Sequence, residues 1–560
     1  MKRTLFLVIG LALVMFACMG TAVQTSQAAA DDTISWRQCG QIECADFAVP
    51  LDYSNPNGKT ITLSLIRIKA RNPDQRVGVL IGNPGGPGAS ANDFTRIWQV
   101  LLSSDIRNRF DIVSFDPRGV GESSPIECHD NLQALVAVDP DPDTDAEWQE
   151  AKTESREFAD NCESRYGDIL PYLGTKNVAR DMDAIRAALG EEKLTYVGYS
   201  YGTSIGAVYA DMFPTHIRAM VLDGGTDLSL DFKEVNRTQM IGFERAFDAY
   251  LSNCAATNCA LAKNGDPRTA VEAINAAAEA KPIPAKNADR PAGPGEVQLG
   301  IISAMYSKLS WPSLTRALTD AQGGDGTGLV RLSDSYLQRE SNGDYPNLIE
   351  ANAAVNYVDQ ECPKDPETYR ELGKEFAKDA PTFGPSAATL GLTCAYWDAK
   401  PDPVSAPRGK GAPPIVVIAT TNDPATPYEW GKALSEQLES GILLTHRGEG
   451  HTIYAQGDKC IDDVVNAYLL NLAIPATGIS CGNGPPPPGE QAQATPSAAP
   501  SEGDATKVPA TPTGAPAPPA TGDGRDDGSM RVAAWAVSLT LAGLLLVGVV
   551  VLLASHARRE

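Results

Sequence analysis

The chain has 560 residues, several times the usual domain length of about 100–150, so it can bury a large core and hold more than one folded unit. Its 42% hydrophobic and 21% charged residues exclude disorder throughout. With 47 Lys and Arg against 70 Asp and Glu, the net charge of −23 repels phosphate backbones and excludes nucleic acid as the expected partner.

Residues 1–30 read as a secretory signal peptide: Lys2 and Arg3, an apolar run from Leu5 to Ala17, and Ala28-Ala29-Ala30 as the cleavage site. That run is shorter than the ~20 residues a membrane span needs. Lipidation at Cys18 is the rival reading, but Met15-Phe16-Ala17 before it is a poor lipoprotein signal.

Val77–Ile81 reads as a strand that runs into Gly82-Asn83-Pro84-Gly85-Gly86-Pro87-Gly88. The glycines suit backbone N–H groups that turn inward to hold an oxyanion. No Lys-Ser/Thr follows them, as a phosphate-binding loop would require. Asp116 and Arg118 in Phe115-Asp116-Pro117-Arg118-Gly119 read as structural.

A helical pattern at Asn177–Leu189 and a short strand at Leu194–Val197 lead into Gly198-Tyr199-Ser200-Tyr201-Gly202, followed by a helix to Phe213 and a strand at Ala219–Leu222. Alternating strands and helices imply a parallel sheet. Gly-x-Ser-x-Gly between a strand and a helix is the nucleophile elbow, with Ser200 as the nucleophile and the amide of Tyr201, together with Gly86 or Gly85, as the oxyanion hole.

A serine hydroxyl needs a base, normally a histidine oriented by a carboxylate. Of five histidines, only His446 and His451 fall where the order Ser, acid, His allows, since His556 lies beyond the expected membrane span, His216 falls in the loop after the elbow helix and His129 precedes the serine. His446 closes the expected strand Ile442–Thr445, whereas His451 sits in the glycine-flexed loop Gly448-Glu449-Gly450, which favours His451. The acid should follow the strand Pro414–Ala419, which selects Asp423. Asp223, at the end of the strand after the elbow helix, is its rival.

Once Cys18 is removed with the signal, ten cysteines remain, an even set that reads as disulfides in an exported chain; pairing of neighbours is the simplest hypothesis, beginning with Cys39–Cys44 and Cys254–Cys259. No close Cys/His quartet suggests zinc, and no cofactor or metal is expected.

Residues 484–530, rich in Pro, Ala, Thr, Ser and Gly, read as an extended stalk. Residues 531–555 contain an uncharged stretch long enough to span a bilayer, and 556–560 form a short tail. A cleaved signal followed by such a stop segment places the catalytic part outside the cell membrane on a single-pass anchor. The rival reading is a cell-wall sorting signal at Pro518-Pro519-Ala520-Thr521-Gly522, or release.

Taken together, the glycine loop at Asn83–Gly88, Asp116-Pro117-Arg118-Gly119-Val120-Gly121-Glu122-Ser123, the Ser200 elbow, Asn422-Asp423-Pro424-Ala425-Thr426-Pro427 and Gly450-His451 resemble the secreted tripeptidyl aminopeptidases, relatives of the prolyl aminopeptidases. The resemblance spans about Trp36 to Cys481. It implies an α/β-hydrolase fold of 31–225 and 401–483, with a mainly helical cap at 226–400. It also implies hydrolysis of short peptides from free N-termini. Acidic cap residues hold the substrate's ammonium in the prolyl relatives, and Glu244, Asp359 and Glu361 are the candidates here. A carboxylic-ester hydrolase with the same triad is the alternative, and a catalytically inactive surface binding protein is a third reading.

Overall fold

The computed structural model describes residues 34–129 and 131–489. The expected signal peptide, Cys18, stalk, membrane span and tail lie outside the described residues. Among the described helices none is long and apolar enough to cross a membrane.

Ten strands form one sheet: β1 (Arg37–Cys39), β2 (Ile42–Pro50), β3 (Thr60–Ile68), β4 (Gly78–Asn83), β5 (Phe110–Phe115), β6 (Leu194–Tyr199), β7 (Ile217–Asp223), β8 (Ile415–Asn422), β9 (Gly441–Glu449) and β10 (Ser480–Cys481). Their order is β1-β2-β3-β5-β4-β6-β7-β8-β9-β10. The first three strands run antiparallel, and everything from β5 to β10 is parallel. The central strands are buried on both faces, as a parallel sheet covered by helices requires.

Alternation along each strand builds two cores. Ile81, Tyr196, Met220, Leu222 and Val417 pack with Val178, Met182, Ile185 and Ile205 on one face. Leu80, Val197, Val221, Val416 and Ile418 pack with Trp98, Ile461, Val465 and Leu469 on the other.

Between β7 and β8 the chain is helical. Helices Phe232–Ala256, Pro267–Ala280, Pro294–Met305, Trp311–Gln322 and Thr327–Leu337 share a separate core of residues such as Phe243, Phe247, Ile301, Leu314 and Leu329. The next helix, Leu348–Asp359, packs Ala353, Ala354 and Val355 into the first sheet core, so the end of the inserted stretch returns to the sheet.

Among the described residues five disulfides join neighbouring cysteines in sequence: Cys39–Cys44, Cys128–Cys162, Cys254–Cys259, Cys362–Cys394 and Cys460–Cys481.

Candidate active site

Every chemistry-bearing motif emerges at the C-terminal edge of the parallel strands, where open α/β sheets place their sites. The strand register brings these ends together: Asn83 lies opposite Gly198, Tyr199 opposite Asp223, Asp223 opposite Ile418, and Asn422 opposite Glu449.

Ser200 follows β6 at φ 53° and ψ −127°, a conformation that L-residues adopt only when the surroundings impose it. Two close backbone approaches impose it. A Cβ on Gly198 would lie 2.3 Å from the Gly202 carbonyl oxygen, and one on Gly202 would lie 2.8 Å from the Asn83 carbonyl oxygen, so both flanking positions exclude a side chain. The Ser200 N–H donates to the Asp223 carbonyl at 2.9 Å, which ties the elbow to β7. Helix Tyr201–Met212 begins directly behind it.

His451 lies just beyond β9, with the imidazole 93% buried. Its Nδ1 is 2.9 Å from each Asp423 oxygen, so the proton on Nδ1 is held by a fully buried carboxylate. Asp423 is fixed in turn by the N–H groups of Ala425 and Thr426, each at 2.9 Å, and by the Thr426 hydroxyl at 3.1 Å. The opposite ring nitrogen, Nε2, is buried and has no protein partner among the described residues. A Cβ on Gly224, the residue after Asp223 at the end of β7, would sit 3.1 Å from His451 Cε1, which brings the imidazole to the end of the strand that anchors the serine. Burial pulls the His451 pKa down, but the Asp423 charge and hydrogen bond, with help from Asp223, outweigh it and hold the imidazole above its usual 6.5.

The rival residues have other tasks. Asp223 is fully buried and its Oδ2 accepts from the N–H groups of Ile453 (2.8 Å) and Tyr454 (2.7 Å), pinning the loop that carries His451. Burial pushes its carboxyl up to about 6. His446 does not close β9, which continues to Glu449; it faces Thr420 Oγ1 at 3.3 Å and Asp458 at 3.6 Å. Asp116 accepts from Ser90, Asn92 and Glu122, and Arg118 forms a buried pair with Asp181, both structural contacts.

The glycine loop packs directly on the elbow: a Cβ on Gly85 would lie 2.9 Å from Ser200 Cβ. The two glycines are not equivalent. The Gly85 N–H donates to Asn83 Oδ1 at 2.9 Å and is therefore spent. The N–H groups of Gly86 and Tyr201 have no protein acceptor among the described residues.

The three acidic candidates for an ammonium divide differently. Glu244 is buried and its oxygens serve Arg268 Nη1 (3.2 Å), the Thr382 N–H (2.8 Å) and the Thr382 hydroxyl (2.9 Å), an internal cap contact. Asp359 is buried too and gives both oxygens to Thr175, its carboxyl pushed up to about 7 by burial. Glu361 is exposed beyond the end of helix Leu348–Asp359. Neither Glu244 nor Asp359 offers a free oxygen, a correction that sequence could not make because their partners lie 138 and 184 residues away.

Sequence reasoning missed two residues. Thr426 sits in the quoted Asp423 motif, and a threonine three residues after an acid is a legible turn signal. Tyr306 carries no such signal. It arrives from the cap, where its carbonyl accepts the His451 N–H at 2.9 Å and its ring meets the imidazole edge-on at 5.3 Å.

A serine on a strained strand-to-helix turn and a carboxylate-held histidine at the same carboxyl edge of a parallel sheet define a serine hydrolase of the α/β-hydrolase fold. The chain is 38% identical over 507 residues to serine protease Hip1 of Mycobacterium tuberculosis, covering 84% of this chain and 95% of that one. It is 34% identical over 488 residues to the tripeptidyl aminopeptidase of Streptomyces coelicolor (82% and 88%) and 37% identical over 476 residues to carboxylesterase B of M. tuberculosis (80% and 89%). A family model described as TAP-like protein matches residues 380–481. The chain belongs to this tripeptidyl aminopeptidase-like family of serine peptidases.

Proposed function

We propose that this chain is an exported aminopeptidase that removes short peptides from free N-termini by a Ser200–His451–Asp423 triad. The observation that carries the reading is His451, with Nδ1 on the buried Asp423 and Nε2 without a protein partner among the described residues, at the same carboxyl edge of the sheet as the Ser200 elbow. In the reaction Ser200 Oγ attacks the scissile carbonyl while His451 Nε2 takes the hydroxyl proton. The resulting oxyanion accepts hydrogen bonds from the Gly86 and Tyr201 N–H groups. His451 then gives the proton to the leaving amine, the C–N bond breaks, and an ester on Ser200 remains. A water that loses its proton to His451 hydrolyses that ester and regenerates the serine. Asp423 holds the proton-bearing Nδ1 throughout.

Export is supported by five disulfides, which persist in oxidising compartments, and by the signal-like residues 1–30. A single-pass anchor at 531–555, with the catalytic part outside, completes this reading. An esterase reading is favoured by one observation, the relative named carboxylesterase B.

The test compares a free-amine tripeptide chromogenic amide, its N-acetylated form and a short-chain ester on the purified protein. Acetylation removes the ammonium charge and strands whatever carboxylate holds it, so kcat/KM should fall at least about tenfold. Equal turnover of free and blocked peptides, with faster cleavage of the ester, would establish the esterase. Ser200→Ala should lower kcat by about 10⁴–10⁶.

A further inference from the structure

The Gly86 and Tyr201 amides belong to different segments of the hydrolase body, yet one helix outside those segments reaches both. Near its start, helix Leu348–Asp359 presses on the glycine loop: a Cβ on Gly88 would lie 2.5 Å from the Leu348 carbonyl oxygen and 3.0 Å from the Asn352 nitrogen. Asn352 Nδ2 donates to the Pro87 carbonyl at 3.0 Å, one residue beyond Gly86. Asn356, one turn on, donates to Asn352 Oδ1 at 2.9 Å and sets the orientation of that amide.

The last residue of the same helix reaches the other segment. Asp359 Oδ1 accepts the Thr175 N–H at 2.8 Å and Oδ2 accepts the Thr175 hydroxyl. The Thr175 oxygen lies 2.6 Å from the hydroxyl of Tyr201. The Thr175 hydroxyl bridges the two, so a continuous chain of hydrogen bonds links Tyr201, Thr175 and Asp359. This carboxylate also does what the local sequence cannot. Helix Thr175–Ala188 starts after Gly174, which has no side chain to cap it, and a Cβ there would lie 2.8 Å from Asp359 Oδ1. Tyr201 is buried, and Thr175 is the protein partner of its hydroxyl.

We propose that helix Leu348–Asp359 sets the spacing of the two oxyanion donors, with Asn352 positioning the Gly86 side through Pro87, and Asp359 positioning the Tyr201 side through Thr175. Asn352, Thr175 and Asp359 are positioning residues, none of them touching substrate. The proposal rests on the oxyanion assignment made above. Its chemical logic is that such donors act only when aimed at the place where charge develops, and a shift of about 1 Å forfeits much of their effect. Ser200 already holds a strained backbone, so Tyr201 needs a second handle, and its side chain supplies one.

The experiment uses the full protein and two variants that each cut one arm. Thr175→Val removes the relay hydroxyl, and Asn352→Asp replaces the amide donor with a carboxylate of the same shape. Each should lower kcat about 10–100-fold, less than the 10²–10³ lost when an oxyanion donor is deleted outright, with KM within about twofold. Affinity for a tripeptide aldehyde, which forms a tetrahedral adduct on the serine, should fall by the same factor as kcat. The double variant should lose the product of the two factors, and Thr175→Ser, which keeps the hydroxyl, should restore turnover. If Thr175→Val does not fold, Tyr201→Phe cuts the same link by deleting one hydroxyl. Unchanged kcat and aldehyde affinity in folded variants, or a raised KM at constant kcat, would overturn the proposal and leave the helix a packing element. Ser200→Ala separates this from the reading beneath it: if that variant still turns over, the triad itself is wrong.

Discussion

Asp423→Asn is expected to cripple the enzyme where Asp223→Asn does not, although both carboxylates are fully buried and both flank His451. Asparagine keeps the shape of aspartate but makes one oxygen an amide donor. At 423 the Ala425 and Thr426 N–H groups both bind Oδ1, each at 2.9 Å, so the new NH2 takes the place of Oδ2, which lies 2.9 Å from His451 Nδ1. An NH2 donating to Nδ1 moves the ring proton to Nε2, and that nitrogen can no longer take the proton of Ser200. A wrong tautomer of this kind lowers kcat by about 10⁴, or about 5.5 kcal/mol of transition-state stabilisation. At 223 the outcome differs. Oδ2 accepts from Ile453 and Tyr454 at 2.8 and 2.7 Å, while Oδ1 has no partner among the described residues. The amide oxygen of asparagine can serve both N–H groups, the NH2 replaces an oxygen that made no bond, and the loop stays pinned. The loss there should be about tenfold or less. Steady-state kinetics on a free-amine tripeptide anilide, with thermal melts to show that both variants fold, provide the comparison. A larger loss at 223 than at 423 would refute the reasoning and move the third triad member to Asp223.

Further outcomes follow from the buried charges. The base works only when neutral, and the Asp423 and Asp223 charges hold His451 above 6.5, so kcat/KM should fall on acidification through an apparent pKa above that value and rise to a plateau at higher pH. Asp223→Asn removes one of those charges and should shift this limb toward lower pH; a limb below about 6 in the unaltered protein would contradict the buried pair. Arg118 and Asp181 are both wholly buried, with the guanidinium donating to both Asp181 oxygens (2.7 and 2.6 Å) and to the carbonyls of Leu51 and Tyr172. Arg118→Met strands the carboxylate and should cost about 3–5 kcal/mol in urea unfolding, while a loss under about 1 kcal/mol would mean the pair is dispensable.

Local chemistry made much of this protein legible from its sequence. The elbow was readable because a serine between glycines, after a β-prone run and before a helical one, can satisfy that backbone in few other ways, and Ser200 does sit at positive φ. Asp423 and His451 could be selected from chain order, since each follows a strand of the parallel sheet directly. Neighbouring cysteines do pair, because short separations leave little chain to close.

What sequence could not decide was how each candidate's hydrogen bonds are spent, because those partners are remote. Only the fold showed that Asp223 serves the His451 loop, and that Glu244 and Asp359 are consumed by Thr382 and Thr175. The antiparallel edge formed by β1 to β3 and the contact of Tyr306 with the imidazole were likewise invisible, since neither leaves a local pattern. Spacing along the chain specifies which groups can react; a buried carboxylate or amide is free or spent according to whichever distant segment packs against it, and tertiary structure alone fixes that.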